Sequence, residues 1–186
     1  MNKDLKYIAT YLSEFKKLIS FDEKIVRDII KIKKILTNKS KKNKVLIFGN
    51  GGSAAISSHV SVDLTKNAGI EAMNYNESDL ITCFANDFGY EHWIDKAVNY
   101  YAKKDDILIL ISVSGSSPNV VNAAKNAKKN GIKHVITLTG KNKNNPLKKI
   151  GDTNIFINSK SYNMVENAHQ VILLLLVDSI IQDRSK

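Results

Sequence analysis

The sequence contains one cysteine, Cys83, so no internal disulfide framework can staple it, and a reducing, cytoplasmic setting is expected. Two prolines and nine glycines in 186 residues are too few for a fibrous, linker-rich or disordered chain. Only two arginines occur, Arg27 and Arg184, although arginine is the side chain that base-edge readout uses most. The formal charge of +10 is therefore lysine charge, spread along the chain rather than gathered in one arm, and direct nucleic-acid binding is not expected. No apolar run exceeds Val171–Val177, well short of the roughly 20 residues of a membrane-spanning helix. The N-terminal stretch MNKDLKYIAT carries an aspartate at position 4 and does not read as a secretory signal, so no membrane partner is expected.

The length fits one domain, residues 1–186, able to bury about two-thirds of its unfolded surface. Leu5, Ile8, Leu12, Phe15 and Ile19 recur at spacings of three and four, predicting a helix with a narrow, coiled-coil-like seam. A second helix is predicted over 22–36, with Ile25, Ile29, Ile32 and Leu36 on one stripe. This pair, within residues 1–40, has no sheet face of its own, so it covers the domain or packs on another subunit.

From residue 44 to 183 the pattern changes to β-branched runs at 45–49, 70–75, 107–112, 134–139 and 153–158. Helical stretches at 53–65, 79–86, 90–102, 118–130 and 147–150 separate them, and a final helix is predicted over 163–182. Continuous apolar strands divided by helices indicate an α/β fold: a three-layer, doubly wound, flavodoxin-like parallel sheet preceded by two N-terminal helices.

Two strand ends share a chemistry. The first run ends in Gly49-Asn50-Gly51-Gly52-Ser53; the third ends in Ser112-Val113-Ser114-Gly115-Ser116-Ser117 before Pro118 opens a helix. Glycine permits close backbone approach, the N–H groups of a helix start favour an anion, and serine hydroxyls add neutral donors. Neither turn is a GxGxxG or GxxxxGK[ST] fingerprint, so a phosphate cradle is expected without a nucleotide cofactor.

FGNGGSAA at 48–55, His59 with Asp63-Leu64-Thr65, FANDFGYE at 84–91, ISVSGSSPNVVNAA at 111–124, ITLTGK at 136–141 and ENAHQVI at 166–172 occur in order over nearly the whole chain. With these pieces the sequence resembles the sugar isomerase (SIS) family, specifically its phosphoheptose isomerases. The resemblance implies that Ser112, Ser114 and Ser117 hold a sugar phosphate, with Val113 and Gly115 contributing backbone. It also implies that Asn50, Ser53 and Asp87 line the sugar beside the turn of Gly51 and Gly52, in a homotetramer with sites between subunits. The implied reaction converts sedoheptulose 7-phosphate into a heptose phosphate for cell-envelope polysaccharide.

Two positions depart from the family pattern. Asp63 stands for its catalytic glutamate, and Leu174 stands where its last helix carries a catalytic histidine. Some family members bind zinc there. A re-formed set is expected from His59 and Asp63, at i,i+4 on one helix, and Glu166 and His169, at i,i+3 on another; these four are candidate catalytic residues and candidate zinc ligands. Otherwise His169 is a histidine at a packing surface and Glu166 a solvated residue. His92, His134, Trp93, Tyr100 and Tyr101 read as structural. The alternative function is a non-catalytic SIS protein that binds a phosphosugar or the replication initiator DnaA, a reading that Leu174 favours and Asp63 opposes.

Overall fold

The computed structural model describes residues 2–184. Its helices are α1 (Lys3–Ile19), α2 (Glu23–Thr37), α3 (Gly52–Lys66), α4 (Ser78–Phe88), α5 (Trp93–Tyr101), α6 (Pro118–Asn126), α7 (Pro146–Ile150) and α8 (Tyr162–Arg184). The strands are β1 (Val45–Gly49), β2 (Ala72–Met73), β3 (Ile107–Ser112), β4 (His134–Gly140) and β5 (Thr153–Ile157), all parallel in the order β2-β1-β3-β4-β5. This is the predicted flavodoxin-like winding, and its direction reverses between β1 and β3.

Alternating side chains of the central strands feed two separate cores. Val45, Ile47, Ile107, Ile109 and Ile111 pack with α2, α3 and α8, while Leu46, Phe48, Leu108 and Leu110 pack with α5, α6 and α7. Burial on both faces explains why these strands read as unbroken apolar runs. The Asp22 carboxylate caps α2 by accepting from Ile25 N at 2.8 Å, and Asn145 caps α7 by accepting from Lys148 N at 2.8 Å.

The structure differs from the pattern in four places. The second strand contracts from 70–75 to Ala72–Met73, because Asn74 and Asn76 turn their amides to Ser61 and to Ala54 and Ser58 of α3, and Tyr75 takes a left-handed φ of 54°. The stretch 90–102 divides into a 3-10 turn, Tyr90–His92, and α5. The helix expected to reach residue 130 ends at Asn126, ahead of Gly131 with φ 78°. The seam of α1 docks only in its second half: Phe15, Leu18 and Ile19 pack on the core, while Leu5, Ile8 and Leu12 are exposed. Among the described residues α8 alone has the length and apolarity of a membrane span, yet half of that window is buried, as in a core helix.

Candidate active site

The two expected turns meet at the winding reversal. At the carboxyl ends of β1 and β3 a pocket of about 90 Å3 is lined by Asn50, Ser53, Ile111, Ser112, Val113, Ser114, Ser117, Tyr162 and Glu166.

The serine turn is pre-shaped by its own hydrogen bonds. Ser112 Oγ lies 3.5 Å from Ser114 Oγ and 3.3 Å from Ser117 Oγ, and accepts from Gly115 N at 3.1 Å. Gly115 adopts a φ of 63°, and a Cβ there would collide with Asn145, so glycine is required. Pro118 occupies the first turn of α6, and no side chain caps that helix start. The N-terminus of α3 is also without a side-chain cap, Gly51 serving as its N-cap at φ 55°. Two helix starts and four serine residues thus border one small volume, an arrangement suited to an oxyanion.

Asn50 is more constrained than its expected sugar-lining role requires. Its Nδ2 donates to Asn119 Oδ1 at 2.9 Å, Asn119 Nδ2 donates back to its Oδ1 at 2.8 Å, and Tyr90 OH donates to the same oxygen at 3.2 Å. The amide oxygen accepts twice and one Nδ2 hydrogen is donated to Asn119, so Asn50 joins the β1 turn to α6 while lining the pocket.

Beside the pocket, α3 and α8 pack together. His59 Nε2 lies 3.2 Å from Asp63 Oδ2, as the i,i+4 spacing predicts, and His59 Nδ1 lies 3.3 Å from Gln170 Nε2. With the Gln170 amide donating to Nδ1, the ring proton sits on Nε2 and faces Asp63. Asp63 Oδ1 also accepts from Asn67 Nδ2 at 3.1 Å. Glu166 lies against the glycine turn so closely that a Cβ at Gly52 would fall 2.5 Å from its Oε2.

His169 does not join them. Its side chain is fully buried on the sheet side of α8, where Nε2 meets the Thr139 carbonyl oxygen at 3.2 Å and Nδ1 has no partner. Burial lowers its pKa to about 4, against a smaller upward pull from the Thr139 carbonyl, so the ring is neutral at ordinary pH. The expected quartet of His59, Asp63, Glu166 and His169 is therefore corrected: Glu166 and Gln170, at i,i+4, share the face toward α3, and His169 turns to the sheet. Leu174 is half-buried against the core. Among the described residues no three His, Cys, Asp or Glu side chains converge. His169 is therefore no candidate ligand, and the side chains near one another on α3 and α8 are His59, Asp63 and Gln170.

Asp87 also departs from expectation. It is exposed near the end of α4, with Cys83 Sγ at 3.8 Å and Asn86 Nδ2 at 3.0 Å, and does not line the pocket. Four residues escaped the sequence reading: Asn119, Tyr90, Tyr162 and Gln170. Gln170 was accessible from its i,i+4 spacing to Glu166; the other three depend on contacts between distant segments.

A parallel sheet wound in this order, with a serine-lined anion pocket at its reversal point, defines a class of open α/β domain that holds small phosphorylated ligands. The family model described as SIS domain matches residues 10–140. The chain is 33% identical over 184 residues, 95% of this chain and 94% of the relative, to the phosphoheptose isomerase of Fusobacterium nucleatum. It is 33% identical over 150 residues to the probable phosphoheptose isomerase of Thermoplasma acidophilum, covering 77% of this chain and 81% of that one. Its fold is similar to that of the phosphoheptose isomerase of Francisella tularensis, with a TM-score of 0.88 and 26% identity over 98% of this chain and all of that one. The corresponding enzyme of Neisseria gonorrhoeae gives 0.84 and 26% over 95% and 98%. The chain belongs to the SIS domain family, among the phosphoheptose isomerases.

Proposed function

We propose that this protein is an aldose–ketose isomerase acting on sedoheptulose 7-phosphate. The observation that carries the reading is the serine pocket, suited to a phosphate and lined by the Glu166 carboxylate at Gly52, at the start of the helix that also bears Asp63 and His59. Relatives named phosphoheptose isomerase over nearly the whole chain support the same reaction.

Isomerisation removes a proton from the carbon next to the carbonyl, forms an enediolate, and returns a proton to the neighbouring carbon. Asp63 is the base in this reading, its carboxylate oriented by His59 Nε2–H and by the Asn67 amide. Glu166, the single acidic side chain in the pocket lining, is placed to exchange a proton with the substrate oxygens. His169 has no part in the chemistry. Leu174 moves no proton, and Asp63 and Glu166 supply the transfer without it. The non-catalytic alternative is not favoured, since Glu166 lines the pocket and Asp63 remains on α3, the helix that starts there. The reading extends to a cytoplasmic homotetramer serving envelope polysaccharide synthesis, its exposed Leu5, Ile8 and Leu12 stripe covered by another copy.

The test is to follow sedoheptulose 7-phosphate by NMR with wild type, Asp63→Ala and Glu166→Gln. Turnover by wild type that is lost in Asp63→Ala is expected. Binding of the sugar without any conversion by wild type would overturn the isomerase reading.

A further inference from the structure

The serine pocket lacks positive charge. Of its lining residues only Glu166 carries a formal charge, and that charge is negative. A phosphate dianion seated among Ser112, Ser114 and Ser117 would face a carboxylate with no cation to offset it, a poor arrangement in a half-enclosed space. Lys141 can correct it.

Lys141 follows directly on β4, and the end of β4 is tied to the serine turn: Gly140 N donates to Val113 O at 3.0 Å. The lysine backbone is left-handed, with a φ of 54°, a conformation that costs energy for any residue other than glycine. Its N–H, donating to Ser159 O at 3.1 Å, holds it there. This geometry sends the side chain toward the start of α8, where its Nζ lies 4.4 Å from the centroid of the Tyr162 ring. Tyr162 itself lines the serine pocket and is half-exposed. Among the described residues Lys141 has no ion pair; its ammonium rests on the ring of Tyr162, a residue of the pocket wall.

Resting on the phosphosugar reading of this site, we propose that Lys141 is the cation that binds the substrate phosphate, presented to the serine pocket across the ring of Tyr162. Glu166 then faces a neutralised ester. The contact favours doubly charged phosphate esters over uncharged sugars, so Lys141 is a specificity determinant and not a proton-transfer group. The comparable pair of Lys148 over Phe156, at 4.6 Å, lies on another groove and provides an internal control.

The experiment measures steady-state kinetics on sedoheptulose 7-phosphate and, independently, calorimetric affinity for inorganic phosphate, in wild type, Lys141→Met, Lys141→Arg, Tyr162→Ala and Lys148→Met. Methionine keeps the length of the side chain and the same backbone demand at position 141, so folding is unaffected, as thermal melts would verify. Lys141→Met is expected to raise KM and weaken phosphate binding by roughly 10- to 100-fold, the loss of one charge-assisted contact, with kcat within about 2-fold. Arginine restores most of the affinity, Tyr162→Ala weakens phosphate binding by a smaller factor, and Lys148→Met behaves as wild type. Added salt should narrow the gap between wild type and Lys141→Met. Wild-type phosphate affinity and KM in Lys141→Met would overturn the assignment. Phosphate binding that depends on Lys141 in a protein that isomerises no sugar would uphold it while overturning the isomerase reading.

Discussion

The two ends of the sheet solve opposite electrostatic problems. At the amino end Asp106 is fully buried, accepting from Lys103 N at 2.8 Å and from Lys44 N and Lys44 Nζ, both at 2.9 Å. Burial pushes this carboxyl up, but the two backbone N–H groups and the lysine ammonium outweigh it and leave the pKa below the usual value. At the carboxyl end the serine hydroxyls bond mostly to one another and to nearby backbone, and Glu166 has no cation in the pocket. A satisfied charge network fixes two loops; an under-compensated polar pocket awaits a ligand. Charge by itself does not mark function here, and incomplete compensation does.

Substitutions can break that contrast in descending order of effect. Asp106→Ala leaves Lys44 buried without its partner and should cost about 3–5 kcal/mol in a urea melt, with KM of the remaining folded protein unchanged. Asp63→Ala should invert the pattern, lowering kcat by roughly 100- to 1000-fold while stability shifts by less than about 0.5 kcal/mol. A variant in which both quantities move together at either residue would erase the division between the ends.

Acid sharpens it. The folded pKa of His169, about 4, lies below its unfolded value of about 6.5, so the unfolded chain binds the extra proton first. Stability is therefore full above pH 6.5 and falls as pH drops toward 4, by about 3 kcal/mol at most. His169→Phe should flatten that part of the profile and retain turnover at pH 7.5, since the ring lies outside the pocket; loss of turnover in a folded His169→Phe would return His169 to the site. Ser117→Ala is the mildest change. It removes one neutral donor and should raise KM roughly 3- to 10-fold with little effect on stability.

The strands and the serine turn were legible in the sequence because their signals are local. Ile107–Ile111 is apolar at every position, and Ser112 to Pro118 states its turn chemistry within seven consecutive residues. His59 and Asp63 were equally readable, because one helix sets their separation. The error over His169 arose where periodicity is ambiguous. Residues at i+3 and i+4 from Glu166 lie on either side of it around the helix, and only the position of the sheet decides that Gln170 faces α3 while His169 meets Thr139. The expected quartet loses His169 with it. Asn50 and Asn119 pair across 69 positions, and Lys141 reaches Tyr162 only because the end of β4 lies beside the start of α8. Such pairings are set by tertiary packing and leave no local trace.

Gly115 has a further consequence. Its bare backbone is pressed by the Asn145 side chain, and its carbonyl accepts from Leu147 N at 3.0 Å, so the serine turn and the start of α7 form one mechanical unit. Transplanting residues 112–118 onto another sheet would carry the hydroxyls without the brace that shapes them. A functional graft has to take 142–147 as well, and drift in that outer segment would loosen the grip on the ligand without altering a single serine.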